Sequence, residues 1–301
     1  MPDHTRSSAT PPILANAGTL LSRYDAVFCD VWGVVHNGVD AYDDACRALQ
    51  RFRDGGGTVI LLTNAPVPEH RVEAMLALRR VPRAAWDAIV SSGAIALRHL
   101  VEHRLTKLYG IGPRDRDAAF FEKAAATLVS IDEAQAIVAT GLNDDRSETA
   151  EDYRPVLEQA LARRLPFVCA NPDLVVDVGG TLYLCAGAIA DVYAHMGGEV
   201  FWAGKPHASA YETAFAKVAE LRGRPVANDR VLVIGDALRT DLEGARRAGL
   251  DALFVAGGIH RSDVVGEDVA QAGRIVPAKL DALFGAADAP PAIGAMIELK
   301  W

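Results

Sequence analysis

Short apolar runs that stop abruptly at polar or glycine residues recur along this chain: 26–30 (AVFCD), 58–64 (TVILLTN), 88–93 (AIVSSG), 230–236 (RVLVIGD) and 252–258 (ALFVAGG). Continuous apolar stretches of this length predict strands covered on both faces, as in parallel sheets. Between them the period changes. Residues 43–53 place Ala45, Ala48, Leu49 and Phe52 at helical spacing ahead of three glycines at 55–57, and residues 208–221 and 240–248 repeat the pattern. A glycine run is a common way to end a helix. Strand and helix alternating in this way predict a doubly wound, mainly parallel α/β sheet.

The middle of the chain carries its own strand candidates at 107–112 (KLYGIG), 136–141 (AIVATG), 166–173 (PFVCANPD) and 181–187 (TLYLCAG). Helices are expected over 117–128 and 153–163. A second, smaller α/β unit inserted into the first accounts for both sets. The expected division is a first core part at 1–94, an inserted domain at 95–200 and a second core part at 201–301, with residues 1–18 as a loose arm.

Composition narrows the function. The chain has 301 residues, half of them hydrophobic, and a formal net charge of -8. That charge disfavours nucleic acid and anionic membrane surfaces, which need clustered Lys and Arg. Small molecules are the expected partners. No apolar run approaches the roughly 18 residues that suggest a membrane span, and residues 1–18 lack the basic start and apolar run of a secretory signal. Cys29, Cys46, Cys169 and Cys185 are too scattered for a CxxC motif and read as buried apolar residues in a reducing, cytoplasmic setting.

Four segments carry the candidate chemistry. Asp30 closes the first run, at the edge where parallel sheets hold ligands, although an Asp there also serves as a turn or cap residue. Thr63 and Asn64 close the second and offer a hydroxyl and an amide to phosphate oxygens, or simply a turn before Pro66. Lys205 precedes a helix, where it either neutralises an anion or is solvated. Asp236 and Asp241 flank the turn after the 230–236 strand and provide hard oxygen ligands for a cation, with helix capping as the alternative for Asp241. The 110–115 stretch (GIGPRD) lacks the third glycine of a dinucleotide loop.

Taken in order, D-x-x-G-V at 30–34, T-N at 63–64, G-K-P at 204–206 and G-D-x-x-x-T-D at 235–241 resemble the haloacid dehalogenase superfamily of phosphohydrolases. The long insertion between T-N and G-K-P, with ANPD at 170–173, is similar to the NagD-type, 4-nitrophenylphosphatase-like branch with a class-II α/β cap on a Rossmann-like core. That resemblance implies a magnesium-dependent phosphatase of small phosphorylated metabolites, with a cap-mediated homodimer as one assembly open to it. It assigns Asp30 as the nucleophile that forms an aspartyl phosphate, Thr63 and Asn64 as phosphoryl ligands, and Lys205 as the charge-steadying cation. Magnesium would be held by Asp30, the Trp32 carbonyl and Asp236, with Asp241 serving either the metal or Lys205. Asn171 and Asp173 would lie on a cap loop that selects the leaving group.

One position departs from the pattern. The family places a second Asp two residues after the nucleophile, as general acid and base; here it is Trp32, whose indole donates a hydrogen bond but does not titrate. His36 is a candidate substitute, with a loop-packing role as its alternative. A weakened enzyme that only binds a phosphometabolite is the competing expectation.

Overall fold

The computed structural model describes residues 10–178, 181–266, 273–286 and 288–301. In chain order its strands are Ala26–Cys29 (β1), Thr58–Thr63 (β2), Ala88–Ser91 (β3), Lys107–Ile111 (β4), Thr127–Leu128 (β5), Ala136–Ala139 (β6) and Phe167–Cys169 (β7). Val175–Val178 (β8), Thr181–Leu184 (β9), Val200–Trp202 (β10), Val231–Gly235 (β11), Asp251–Val255 (β12) and Gly294–Met296 (β13) follow. Contacts divide the chain into two compact units, one of residues 1–62, 76–88 and 214–301, the other of 63–75 and 89–213.

In the first unit β13, β12, β11, β1 and β2 lie side by side in that order, all parallel. Sequence order reverses between β1 and β11, and such a reversal opens a crevice at the carboxyl ends of the two strands. Asp30 follows β1 and Asp236 follows β11, so both acids emerge at that point. All residues of β1, β2 and β11 are buried, as their unbroken apolar runs require. Burying a side chain such as Phe28 contributes about 2–3 kcal/mol, and its ring meets that of Phe215 edge-on at 5.1 Å.

The amphipathic helix Asp43–Asp54 turns Ala45, Cys46, Ala48, Leu49 and Phe52 inward. The 240–248 expectation is met by the helix Glu243–Ala248, preceded by a wider π turn over Leu238–Leu242 in which the Leu242 N–H reaches the Ala237 carbonyl at 3.2 Å. The loose arm falls partly outside the described residues. Its remainder is tied down: the Leu14 N–H donates to the Ala295 carbonyl at 2.8 Å, the Ala295 N–H donates back to the Pro12 carbonyl at 2.9 Å, and the Ala17 N–H donates to the Lys300 carbonyl at 2.7 Å.

The second unit holds a parallel sheet in the order β10, β7, β6, β4, β5 and an antiparallel ribbon of β8 and β9. Its core gathers Ile137, Leu157, Phe167, Ile189 and Tyr193, and the Tyr193 hydroxyl is satisfied by the Leu165 carbonyl at 2.7 Å. The helix expected over 117–128 is shorter: it runs Ala118–Lys123, and Ala125 then takes a positive φ of 49°. That left-handed residue breaks the helix, freeing Thr127 and Leu128 to pair with Lys107 and Leu108. The 153–163 expectation corresponds to the helix Arg154–Ala162. All four cysteines are buried and unpaired by disulfides. Among the described residues, no helix is long and apolar enough to cross a membrane.

Candidate active site

Each unit assembles one group of the residues singled out above. In the first, Asp30, Asp236 and Asp241 are 8, 5 and 1 % exposed, and one carboxylate oxygen from each lies within 4.8 Å of the others. The backbone holds them there. The Asp30 N–H donates to the Ile234 carbonyl at 2.8 Å, locking β1 to β11 just before both acids. Asp236 accepts the Ile259 N–H at 2.7 Å, and Asp241 accepts the Ala237 N–H at 3.2 Å from within the π turn.

Glycine makes room for this packing. A Cβ on Gly258 would come within 1.9 Å of the Asp236 carboxylate, and one on Gly33, whose φ is +85°, within 2.1 Å. Neither position tolerates a side chain without moving the acid. Gly257 and Gly258 read in the sequence only as the end of a strand run; the part of Gly258 in seating Asp236, with the Ile259 N–H, depends on the third dimension. Three buried carboxylates so close repel one another, and a set of hard oxygen donors with this arrangement suits a divalent cation.

Trp32 lies on the loop leaving this group. Its ring meets His36 edge-on, centroids 5.2 Å apart, with the Arg79 guanidinium 5.9 Å from its centroid. His36 is buried, and its Nδ1 accepts the Gly38 N–H at 3.0 Å, which assigns the ring proton to Nε2. Burial first, and the Arg79 charge second, lower its pKa to about 4. At neutral pH the ring is therefore an uncharged part of its loop.

The second unit assembles Thr63, Asn64, Lys205 and Asp173. Asn64 Nδ2 donates to Asp173 Oδ1 at 2.8 Å and to the Lys205 carbonyl at 3.1 Å. Its Oδ1 accepts the Lys205 N–H at 2.9 Å and the Ser92 hydroxyl at 3.2 Å. Both amide protons and both lone pairs are thus engaged, and the side chain acts as a clamp on the Lys205 backbone and on Asp173. Ser92, absent from the sequence expectations, is part of that clamp; no motif in the linear chain marks it. Lys205 is 3 % exposed, a depth at which lysines are rarely found unless paired. The Thr63 hydroxyl accepts the Ala65 N–H at 3.2 Å.

Asn171 and Asp173 shape the turn after β7: Asn171 Oδ1 accepts the Asp173 N–H at 3.1 Å, and the Asn171 carbonyl accepts the Cys169 thiol at 3.3 Å. Burial drives the Cys169 and Cys185 thiols well above their ordinary range, so neither is a nucleophile.

Known proteins resemble this chain over most of its length. A profile described as haloacid dehalogenase-like hydrolase matches residues 27–127, and a HAD-hydrolase-like profile matches 202–283. A crystal structure of a haloacid dehalogenase-like family hydrolase from Brucella suis 1330 is 41 % identical, covers 96 % of this chain and 99 % of its own, and superposes with a TM-score of 0.79. The 5'-nucleotidase YutF of Bacillus subtilis is 23 % identical over 83 % of this chain and 93 % of its own length. The ribonucleotide monophosphatase NagD of Escherichia coli K12 is 26 % identical over 79 and 89 %.

Proposed function

Because this chain belongs to the haloacid dehalogenase-like hydrolases, an enzyme family, we propose that it is a magnesium-dependent phosphohydrolase of small phosphate monoesters that works through an aspartyl phosphate on Asp30. The observation that carries the reading is the buried group of Asp30 and Asp236, just past the ends of neighbouring parallel strands, with Asp241 in the π turn that follows. Relatives named as a 5'-nucleotidase and a ribonucleotide monophosphatase support small phosphorylated substrates. The reduced, buried cysteines fit a cytoplasmic enzyme.

Asp30, Asp236 and Asp241, with the Trp32 carbonyl, would hold the cation. Bound magnesium supplies positive charge to the phosphoryl oxygens and lets an anionic ester approach an anionic nucleophile. The chain's own residues do the rest. An Asp30 oxygen attacks phosphorus, and the bond to the leaving oxygen breaks with its electron pair departing on that oxygen. Water then attacks the phosphorus, releasing dihydrogen phosphate and restoring the Asp30 carboxylate, a division of one hard step into two. Thr63 and Lys205 receive the phosphoryl oxygens. Asn64 works mainly by fixing Lys205 and Asp173, since its side-chain amide is already engaged. The inserted domain at 95–200 takes the part of the cap in this reading, with Asn171 and Asp173 selecting the leaving group.

Trp32 favours one alternative, a protein that binds phosphometabolites without turning them over. One experiment separates the two: incubate the purified chain with phosphate monoesters, with magnesium or with EDTA, and measure orthophosphate. Release that needs magnesium supports the hydrolase. Saturable binding without release supports the alternative.

A further inference from the structure

Residues 31–42 form a small closed loop around one aromatic side chain. The His36 N–H reaches the Val31 carbonyl at 3.2 Å, the Gly33 N–H reaches the His36 carbonyl at 2.8 Å, and the Tyr42 N–H reaches the Val35 carbonyl at 2.8 Å. Asn37 Oδ1 accepts from the N–H groups of Val39 and Asp40, both at 2.9 Å. Arg79 closes the loop from outside: its Nε donates to the Gly38 carbonyl at 2.9 Å, and its own carbonyl accepts the Ala41 N–H at 3.2 Å.

The Trp32 indole is the packing centre of this loop. His36 meets it edge-on, the Arg79 guanidinium lies over it, and Gly38 presses so close that a Cβ there would sit 2.6 Å from the ring. Gly38 also has a φ of +92°, which fits glycine alone without strain. The loop has therefore been built around a large ring at the place where the family pattern has a proton-transferring acid. His36, the neighbouring imidazole, is committed to the same packing through the Gly38 N–H.

We infer that Trp32 sets the substrate class of this site: phosphoryl compounds whose leaving oxygen departs as an anion with no proton from position 32, namely aryl and enol phosphates, acyl phosphates and phosphoanhydrides, ahead of alkyl esters. The inference rests on the phosphohydrolase reading above. In the first step the phosphorus–oxygen bond breaks and the leaving group takes the electron pair as phenoxide, enolate, carboxylate or phosphate. Indole contributes at most a hydrogen bond to that anion. Only groups that carry negative charge well can leave at a useful rate, because positioned acid catalysis normally supplies about 10²–10⁴-fold.

The test is kcat/KM with saturating magnesium across a series of aryl phosphates of graded phenol acidity, together with glycerol phosphate. A fall of more than about 10³-fold from the most acidic phenol to the alkyl ester is expected, near the upper range of positioned acid catalysis. Trp32→Phe keeps a ring in the loop and should keep the steep slope. A folded Trp32→Asp variant should flatten it by raising the alkyl rate selectively. A flat wild-type profile overturns the inference, as does a folded Trp32→Asp with an unchanged slope. Should Trp32→Asp fail to fold, the wild-type slope still decides. Orthophosphate from no ester at all overturns the hydrolase reading together with the inference built on it.

Discussion

At the scale of single residues, the roles separate into attack, charge and placement. Asp30→Asn removes the attacking oxygen while preserving shape, and magnesium-dependent phosphate release should fall by about 10⁴-fold or more, as when other covalent nucleophiles are removed. Asn64 predicts a different signature. Its amide makes four hydrogen bonds in a buried place, to Asp173, to Ser92 and twice to the Lys205 backbone. Asn64→Leu should therefore lower stability by about 2–4 kcal/mol, because it leaves buried partners unsatisfied, and lower kcat as well. Denaturant unfolding read beside the kinetics checks both. The sequence marked Asn64 by its place beside Thr63, yet gave no sign of the clamp, because its main partner lies 141 residues away. His36 is equally visible as a titratable residue, but only its burial, with the Arg79 charge second, shows why it is held neutral.

Secondary-structure elements place those residues with different degrees of visibility in the sequence. Strands β1, β2 and β11 announce themselves, since burial on both faces demands unbroken apolar runs. Short edge strands such as β5, of two residues, carry no such pattern, and Thr127 and Leu128 fall within a stretch whose spacing predicts helix. The β8 strand was missed although a Gly-Gly pair separates it from β9 in the sequence, a recognisable hairpin signal. The π turn before Glu243 looks helical in its apolar spacing, and the widened geometry that brings Asp241 beside Asp236 leaves no trace there. Beyond β12, Gly258 has an element-level consequence: Gly258→Ala would push against the Asp236 carboxylate. Magnesium affinity should weaken by about 10- to 100-fold, the range seen when the support of a metal ligand is disturbed, and a calorimetric magnesium titration reads it directly without turnover.

For the whole molecule, two linked equilibria follow. Asp25 accepts from Arg230 at 2.9 and 3.2 Å; the hydrogen bond and charge of Arg230 hold its pKa below the ordinary carboxylate value. A depressed pKa stabilises the folded chain above the unfolded pKa of about 3.9, and that contribution fades as pH falls through the folded value. Asp25→Asn should thus be less stable than wild type at pH 7 by under about 1 kcal/mol, given the exposure of the pair, and the difference should vanish in acid. Metal binding gives the second equilibrium. Magnesium held by Asp30, Asp236 and Asp241 should raise the melting temperature of wild type, by about 2.7 kcal/mol of stability at a hundredfold excess over Kd, and should have far less effect on Asp236→Asn. Fold class, the order of the motifs and the three acids were thus legible in the sequence, while the clamp and the closed loop around Trp32 required coordinates. The most direct measurement of the central claim is peptide mass analysis of the chain quenched in acid during turnover of an aryl phosphate with magnesium. One phosphoryl group on the peptide that carries Asp30, absent in Asp30→Asn, is the predicted result; orthophosphate released at full rate by Asp30→Asn would contradict it.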